Sequence, residues 1–134
     1  MIIDATDLIA GRLASVVAKK ALLGEKIDVI NSGEAVITGT KEDVLARYKQ
    51  KRARGDPRKG PFMYKKEDRF LRRLIRGMLP HRQHKGSVAF KRVMCYIGVP
   101  DKFKDKKAES IKDAHVSKMQ NLKYIKVKEI CRLM

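Results

Sequence analysis

Four arginines of this chain have the spacing of one helix face. Arg69, Arg72, Arg73 and Arg76 recur at i, i+3, i+4 and i+7 with no acid between them, so on a helix they fall within an arc of about 100°. Like charges at this spacing destabilise a free helix by roughly a few tenths of a kcal/mol each. A guanidinium group, however, binds phosphate through two parallel hydrogen bonds. The spacing therefore predicts a phosphate-binding face.

Basic charge is concentrated in the segment that contains these arginines. Residues 41–92 carry eighteen Lys/Arg against five Asp/Glu, whereas residues 1–40 carry four against five and residues 93–134 carry ten against five. Such a block repels itself, and a pI of about 10.1 is typical of a nucleic-acid-binding domain. Because the chain has no Trp and few aromatic residues, we expect phosphate contacts to dominate over the stacking of bases on aromatic rings.

Neighbouring segments are expected to extend this basic surface. A helix that begins at Thr40 carries Arg47, Lys51 and Arg54 at i, i+4 and i+7. Glycines and prolines then predict a basic loop over residues 54–64, mobile until nucleic acid orders it. The candidate nucleic-acid-binding residues are Arg12, Arg47, Lys51, Arg52, Arg54, Arg58, Lys59, Arg69, Arg72, Arg73, Arg76, Arg82, Lys85, Lys91 and Arg92.

Residue spacing argues against a nucleotide loop or a metal site. The glycines between Gly33 and Lys41 are one residue too far apart for a phosphate-binding loop, and Thr precedes Lys instead of following it. A strand that leads into a helix cap fits this segment better. His81 and His84, with Cys95 beyond them, lack a fourth zinc ligand. No metal and no cofactor are therefore expected.

The remaining candidates for chemistry are isolated acids and cysteines. Asp4, Asp7 and Asp28 lie near predicted strand ends, where carboxylates most often cap turns. No catalytic motif is present, so no catalytic residue is expected and the chain is not predicted to be an enzyme. Cys95 and Cys131 are far apart in sequence, which favours two buried thiols in a reducing compartment.

The first residues and the apolar runs indicate a cytoplasmic protein. Residues 1–10 contain acids and no basic start, unlike a signal peptide. The longest apolar runs are far shorter than a membrane span. We therefore expect no contact with a membrane.

Strands and helices alternate in the first half of the chain, which is typical of an α/β sheet with helices on its faces. Strands are predicted at residues 1–5, 27–31, 35–38, 94–99 and 122–127. Helices are predicted at residues 12–23, from Thr40 onward, at residues 66–79, after Ser87 and at the C-terminal end. The link between the second and third strands is too short for a parallel crossover, so either that pair is a hairpin or one strand prediction is wrong.

A more specific pattern is carried by six strings: Gly11-Arg-Leu-Ala-Ser15, Val29-Ile-Asn31, Ala35-Val-Ile-Thr-Gly39, Arg76-Gly-Met-Leu-Pro80, Ala89-Phe-Lys-Arg92 and Tyr96-Ile-Gly-Val-Pro100. Together they closely resemble large-subunit ribosomal protein family thirteen, and the string from Arg76 to Pro80 is the most specific. The resemblance spans residues 1 to about 100. The last string, with a chain that starts directly at its first strand, indicates the archaeal type.

The resemblance implies a three-layer α/β/α fold with a central four-stranded sheet, mixed or mostly parallel. It also implies binding to large-subunit ribosomal RNA, a role in subunit assembly, and contacts with neighbouring ribosomal proteins. We expect one RNA-binding domain over residues 1–134, with the basic loop 54–64 and a polar surface connection over residues 100–121. No homo-oligomer is expected.

The predicted function is structural: the chain holds ribosomal RNA segments in place through phosphate contacts, as part of the ribosome. Two alternatives remain open at this point. One is an RNA-processing or RNA-modifying enzyme, which carboxylates converging near Arg12 would favour. The other is a regulator that binds messenger RNA away from the ribosome.

Overall fold

Strands and helices alternate in the first half of the chain, as predicted. The structure, a computed structural model, describes residues 1–56, 58–121 and 123–134. Within these residues the strands are β1 (Ile2–Asp4), β2 (Ile27–Ile30), β3 (Val36–Thr38), β4 (Val93–Cys95) and β5 (Tyr124–Lys126). The helices are α1 (Ala10–Leu22), α2 (Lys41–Ala53), α3 (Glu67–Gly77), α4 (His84–Lys91) and α5 (Val127–Leu133). The predicted α/β class is confirmed.

The strands are divided between two sheets. A parallel sheet has the order β1-β2-β4, with Ile3 opposite Val29 and Val29 opposite Cys95. The strands β3 and β5 form an antiparallel pair. A bridge between Ile9 and Val36 connects the segment before α1 to β3. The four-stranded central sheet that the resemblance implied is thus replaced, within the described residues, by three parallel strands and a separate antiparallel pair.

The short link between β2 and β3 is neither a hairpin nor a crossover. Asn31 adopts the left-handed conformation with a φ of 55°, and a 3-10 turn follows at Ser32–Glu34. The N–H and the hydroxyl of Ser32 both donate to the carbonyl of Tyr96, at 3.0 and 2.8 Å. This turn directs β3 away from β2 and into the second sheet. Both strand predictions are therefore confirmed, and the hairpin is wrong.

One cluster of buried side chains joins both sheets to the helices. Helix α1 contributes the apolar stripe that its periodicity predicts, including Leu13 and Val17. Helix α3 contributes Phe70, Leu71 and Ile75. Side chains of α5 and of both sheets complete the cluster. Since each of these large side chains is worth roughly 1.5–3 kcal/mol when fully buried, the core fixes the position of α3.

The two cysteines lie in this cluster. Cys95 and Cys131 are free and buried, as predicted. Burial raises the pKa of each thiol to about 12. Both thiols therefore stay protonated near neutral pH, and a protonated thiol is a poor nucleophile.

Several element boundaries differ from the prediction after residue 80. The strand expected over residues 94–99 is confined to β4. Its neighbouring strand β2 ends at Ile30, where the chain continues into the 3-10 turn. The polar stretch after residue 100 contains further 3-10 turns at Asp101–Phe103, Lys112–Ala114 and Val116–Lys118. Residue 122, where the last strand was predicted to begin, lies outside the described residues, and β5 follows it.

Helix α4 begins at His84 and not after Ser87 as predicted. The N–H groups of Gly86 and Ser87 donate to the carbonyl of Gln83 and form the first turn. A Cβ at Gly86 would lie 2.1 Å from the carbonyl oxygen of Pro80. A glycine is therefore required at this position inside the helix, because it lets the first turn pack against Pro80.

Glu34 ties the 3-10 turn to β5 and α5. Its carboxylate accepts hydrogen bonds from Lys126 Nζ and Lys128 Nζ, both at 2.6 Å. The hydrogen bonds from Lys126 and Lys128 lower the pKa of Glu34, and the bond to Glu34 raises the pKa of Lys126. The side chains of Glu34 and Lys126 are 31% and 30% exposed, so solvent screening limits each pair to roughly 0.2–1 kcal/mol.

Replacing Glu34 by Gln is expected to lower the free energy of unfolding near neutral pH by about 1 kcal/mol, because both lysine pairs are lost. The pKa of Glu34 is lowered from 4.5 in the folded chain. Its contribution is therefore present above the unfolded pKa and is lost as the pH falls through the folded value. Urea unfolding of both proteins, from neutral pH into acid, should show the difference shrink to zero. A difference that stays constant would contradict this account.

Candidate nucleic-acid interface

Helix α3 separates an apolar face from an arginine face. Its apolar side chains enter the core, and the helix contacts α1, α5 and β4. On its other side Arg69 and Arg73 are exposed, whereas Arg72 and Arg76 are half-buried. Because α3 is held by several elements, its arginines are presented on a rigid support.

Arg72 is fixed at two points. Its Nε donates to the carbonyl of Val93 at 3.0 Å, and its guanidinium carbon lies 4.4 Å from the centre of the Phe90 ring. A guanidinium group over an aromatic ring is stabilised by roughly 0.5–2 kcal/mol. Arg72 therefore joins α3 to α4 and β4 as well as contributing charge to the arginine face.

The positive charge of the arginine face is not neutralised by nearby acids. In the part of the chain that the structure describes, every ion pair uses a lysine and none uses an arginine. Glu67 and Asp68 lie in the first turn of α3, where their charge favours the helix dipole. The arginines are thus available to external anions.

A groove between α2 and α3 brings the predicted basic residues next to aromatic rings. The rings of Tyr48 and Phe70 lie 5.1 Å apart and join the two helices. Lys51 and Arg73 line this groove, of about 240 Å³, together with Tyr64. The groove therefore combines cationic groups with the faces of aromatic rings. A site that binds only phosphate does not require such rings.

The aromatic residues of the basic loop were missed by the sequence analysis. Phe62 is 68% exposed and Tyr64 is 43% exposed, and both line the groove between α2 and α3. The low aromatic count of the whole chain hid their local concentration. The signal that could have found them is the string Pro61-Phe-Met-Tyr64, two aromatic rings inside a lysine-rich and arginine-rich loop.

Two further predicted basic residues, Arg52 and Arg54, lie next to this groove. Arg52 and Arg54 line a further opening that shares Phe62 with the groove, and Arg52 also donates to the carbonyl of Met134. We call the combined area the basic-aromatic surface. It consists of Lys51, Arg52, Arg54, Phe62, Tyr64, Lys65, Arg69, Arg72, Arg73, Arg76 and Phe90.

Residues Arg58 and Lys59 are exposed in the turn that follows α2. The backbone N–H of Arg58 donates to Asp56 Oδ1 at 2.7 Å, and Asp56 bridges to Gly60. This hydrogen-bonded turn presents both side chains to solvent. Residue 57, which the sequence analysis placed in the same loop, lies outside the described residues.

The other predicted RNA-binding residues lie elsewhere. Arg12 lines an open cleft of about 670 Å³ with Thr40 and Lys123. Lys85 and Arg92 line another cleft, of about 480 Å³. The remaining three residues are exposed on the surface, namely Arg47 on α2, Arg82 before α4, and Lys91 on α4.

Arg92 contributes to the fold as well as to its cleft. It is half-buried, and its Nη1 donates to the carbonyl of Ala21 near the end of α1, at 3.3 Å. A cation near the C-terminal end of a helix also favours the helix dipole.

The acids considered for catalysis have separate partners. Burial opposes ionisation of Asp4, but hydrogen bonds from Thr6 and Asn31 outweigh it and lower the pKa of Asp4. Asp28 accepts from the Tyr96 hydroxyl at 3.2 Å, and Asp7 Oδ1 lies 3.8 Å from Lys126 Nζ. These three carboxylates do not converge on Arg12, whose Nη1 donates to a backbone carbonyl instead.

The segment from Gly33 to Lys41 forms the 3-10 turn, β3 and the start of α2. The hydroxyl of Thr40 accepts from the N–H of Asp43 at 3.3 Å, which confirms the predicted strand and helix cap. His81 and His84 lie at either end of the turn before α4.

Two absences among the described residues are relevant to other classes of protein. No group of three or more His, Cys, Asp or Glu side chains there is arranged to hold a metal ion. None of the helices found there combines the length and the apolar character that crossing a membrane requires.

Replacing Arg72 by Ala is expected to lower the free energy of unfolding by about 2 kcal/mol, because the contact with Phe90 and the bond to the Val93 carbonyl are both lost. Arg73 provides the matched control. It is exposed on the same helix, and its change to Ala should shift stability by no more than about 0.5 kcal/mol. Urea unfolding of both variants measures the difference, and equal stabilities would contradict the anchoring role of Arg72.

Known proteins are similar in sequence to this chain over nearly its full length. The model of the family described as "Ribosomal protein L13" matches residues 1–102. A Methanopyrus kandleri protein named "Large ribosomal subunit protein uL13" is 44% identical over 131 residues, which cover 96% of this chain and 82% of that protein. Proteins of the same name from Methanosarcina barkeri and Archaeoglobus fulgidus are 42% and 41% identical, over 99% and 98% of this chain and 96% and 85% of their own length. The chain therefore belongs to the ribosomal protein L13 family.

Proposed function

We propose that this chain is a structural constituent of the large ribosomal subunit that binds large-subunit ribosomal RNA and supports subunit assembly in the cytoplasm. The observation that carries the proposal is the arginine face of α3. Its guanidinium groups lie together, and none is ion-paired within the described residues. Residues 1–134 then act as one RNA-binding domain.

Phosphate contacts account for this binding. A cluster of fixed guanidinium groups neutralises phosphates and releases their counterions, which is the main source of affinity for nucleic acid. The arginine face belongs to a helix that the core holds in place, so it fixes the position of the RNA more than it reads base identity. The basic clefts around Arg12 and around Arg92 lie on other elements. That distribution suits a protein that holds several RNA segments together.

Exposed apolar side chains suit contacts with neighbouring ribosomal proteins. Ile97 is 57% exposed and Val99 is 41% exposed, both in the segment after β4, and Met94 in β4 is 37% exposed. Exposed apolar groups close together commonly mark a protein interface. The name of the three relatives, large ribosomal subunit protein, supports ribosomal partners over an enzymatic role.

The double change Arg69→Glu with Arg73→Glu tests the arginine face and spares Arg72, which anchors the helix. We expect the affinity for purified large-subunit ribosomal RNA to fall by tenfold or more. The slope of log Kobs against log salt should become shallower by about two, since about two phosphate contacts are lost. Filter binding at several salt concentrations measures both quantities.

The matched control is Lys19→Glu with Lys26→Glu, which changes the net charge equally at two exposed positions in the segment of least positive charge. Its RNA affinity should remain within about threefold of the unmodified chain, because most of the effect requires direct contact. Equal losses in the two variants would reject the arginine face as the contact surface. Crosslinking in cells that recovered mainly messenger RNA would reject the ribosomal role itself.

A further inference from the structure

We propose that the cavity between Tyr64 and Phe90 binds a single unpaired ribonucleotide, with its base against the aromatic rings and its phosphate on the arginines of α3. The proposal rests on the proposed function and names the form of RNA that this part of the surface recognises. It differs from the sequence-based expectation, in which phosphate contacts alone were to dominate.

The cavity is open and small. It has a volume of about 280 Å³ and is lined by Tyr64, Phe90 and the four arginines of α3. This volume is close to the lower limit of small-molecule sites, roughly 300 Å³, and it suits one nucleotide. A duplex presents phosphates and a groove over a broad convex surface, which does not fit a cavity of this size.

The wall of the cavity is already ordered. Arg72 is held by its bond to the Val93 carbonyl and by its contact with Phe90. Its terminal nitrogens donate no hydrogen bond within the described residues, so they remain available to a phosphate or a base edge. A guanidinium group whose orientation is fixed loses less entropy on binding than a free side chain.

The side chains that line the cavity suit both a base and a phosphate. Phosphate binding requires cations but has no use for aromatic rings, whereas an unstacked base packs on aromatic rings and on guanidinium planes. Tyr64 is 43% exposed, so its ring is accessible to such a base. The four arginines beside it lack ion-pair partners within the described chain, as shown above, and supply the charge that the phosphate needs.

Titration with three small probes tests the composition of the site. We expect adenosine 5′-monophosphate to bind at least tenfold more tightly than ribose 5-phosphate, and ribose 5-phosphate about as tightly as inorganic phosphate. NMR spectra should show shifts of the Arg72 Nε–H with all three probes. Only the adenine compound should shift the ring protons of Tyr64 and Phe90 and give contacts between base and ring protons.

Equal affinities for the three probes, with no response of the rings, would overturn the proposal in favour of a simple phosphate site. Phenyl phosphate serves as a fourth probe. If it binds more tightly than adenosine 5′-monophosphate, the proposal is overturned in favour of a phosphotyrosine peptide. These readouts use the unmodified chain, so they do not depend on how any variant folds.

A pair of hairpin RNAs extends the test to a polymer. One carries a single bulged 2-aminopurine and the other is the same hairpin fully paired. We expect the unmodified chain to prefer the bulged RNA about tenfold, with a change in 2-aminopurine fluorescence on binding. Tyr64→Leu should reduce this preference to twofold or less. Tyr124→Leu removes an exposed tyrosine from β5, outside the cavity, and should keep the preference.

The outcomes separate this inference from the proposed function. If both hairpins bind equally and with the same salt dependence, the single-nucleotide site is rejected while RNA binding stands. If neither hairpin nor large-subunit ribosomal RNA binds at low salt, both are rejected. A preference for the bulge that survives Tyr64→Leu would also reject the role given to this cavity.

Discussion

The burial of one face of α3 is the constraint on which the rest of the surface depends. Phe70, Leu71 and Ile75 are buried to at least 97%, and each contributes roughly 1.5–3 kcal/mol. Repulsion among like charges on the opposite face costs only a few tenths of a kcal/mol per pair. The core therefore holds the guanidinium groups together against their mutual repulsion, although none of them has an ion-pair partner among the described residues.

The arginines of α3 do not share one role. Arg69 and Arg73 are solvated and available to anions, while Arg72 stacks on Phe90 and binds the backbone of β4. The same guanidinium group thus contributes both to the fold and to the basic-aromatic surface. This dual role explains why charge alone is a poor guide to which residue tolerates substitution.

Local patterns predicted the elements well. The period of α3, the cap at Thr40, and the strands on either side of residues 32–34 follow from short-range spacing, and all of them are found. The pairing of β3 with β5 was not predictable, since their hydrogen bonds join residues distant in sequence. The start of α4 was missed because Gly86 is required by contact with Pro80, which propensity does not register.

The same limit applies to the candidate site. Sequence spacing placed the arginines on one face, but it could not show that Phe90 supports Arg72 from another helix. The aromatic pair at Phe62 and Tyr64 was discounted on composition, although only its neighbourhood matters for stacking. The predicted basic residues also separate into the area around α3 and the clefts near Arg12 and Arg92, a division that only the tertiary structure shows.

The pairing of β3 with β5 has a consequence for synthesis of the chain. Val36 finds its antiparallel neighbour at Lys126, and Ala35 accepts the N–H of Val127, so the second sheet closes only after residues near the C-terminal end have been translated. Until then the edge of β3 and the apolar surface beneath α5 stay uncovered. A nascent chain paused before this point would expose an unpaired strand edge, the kind of feature that chaperones shield and that promotes aggregation.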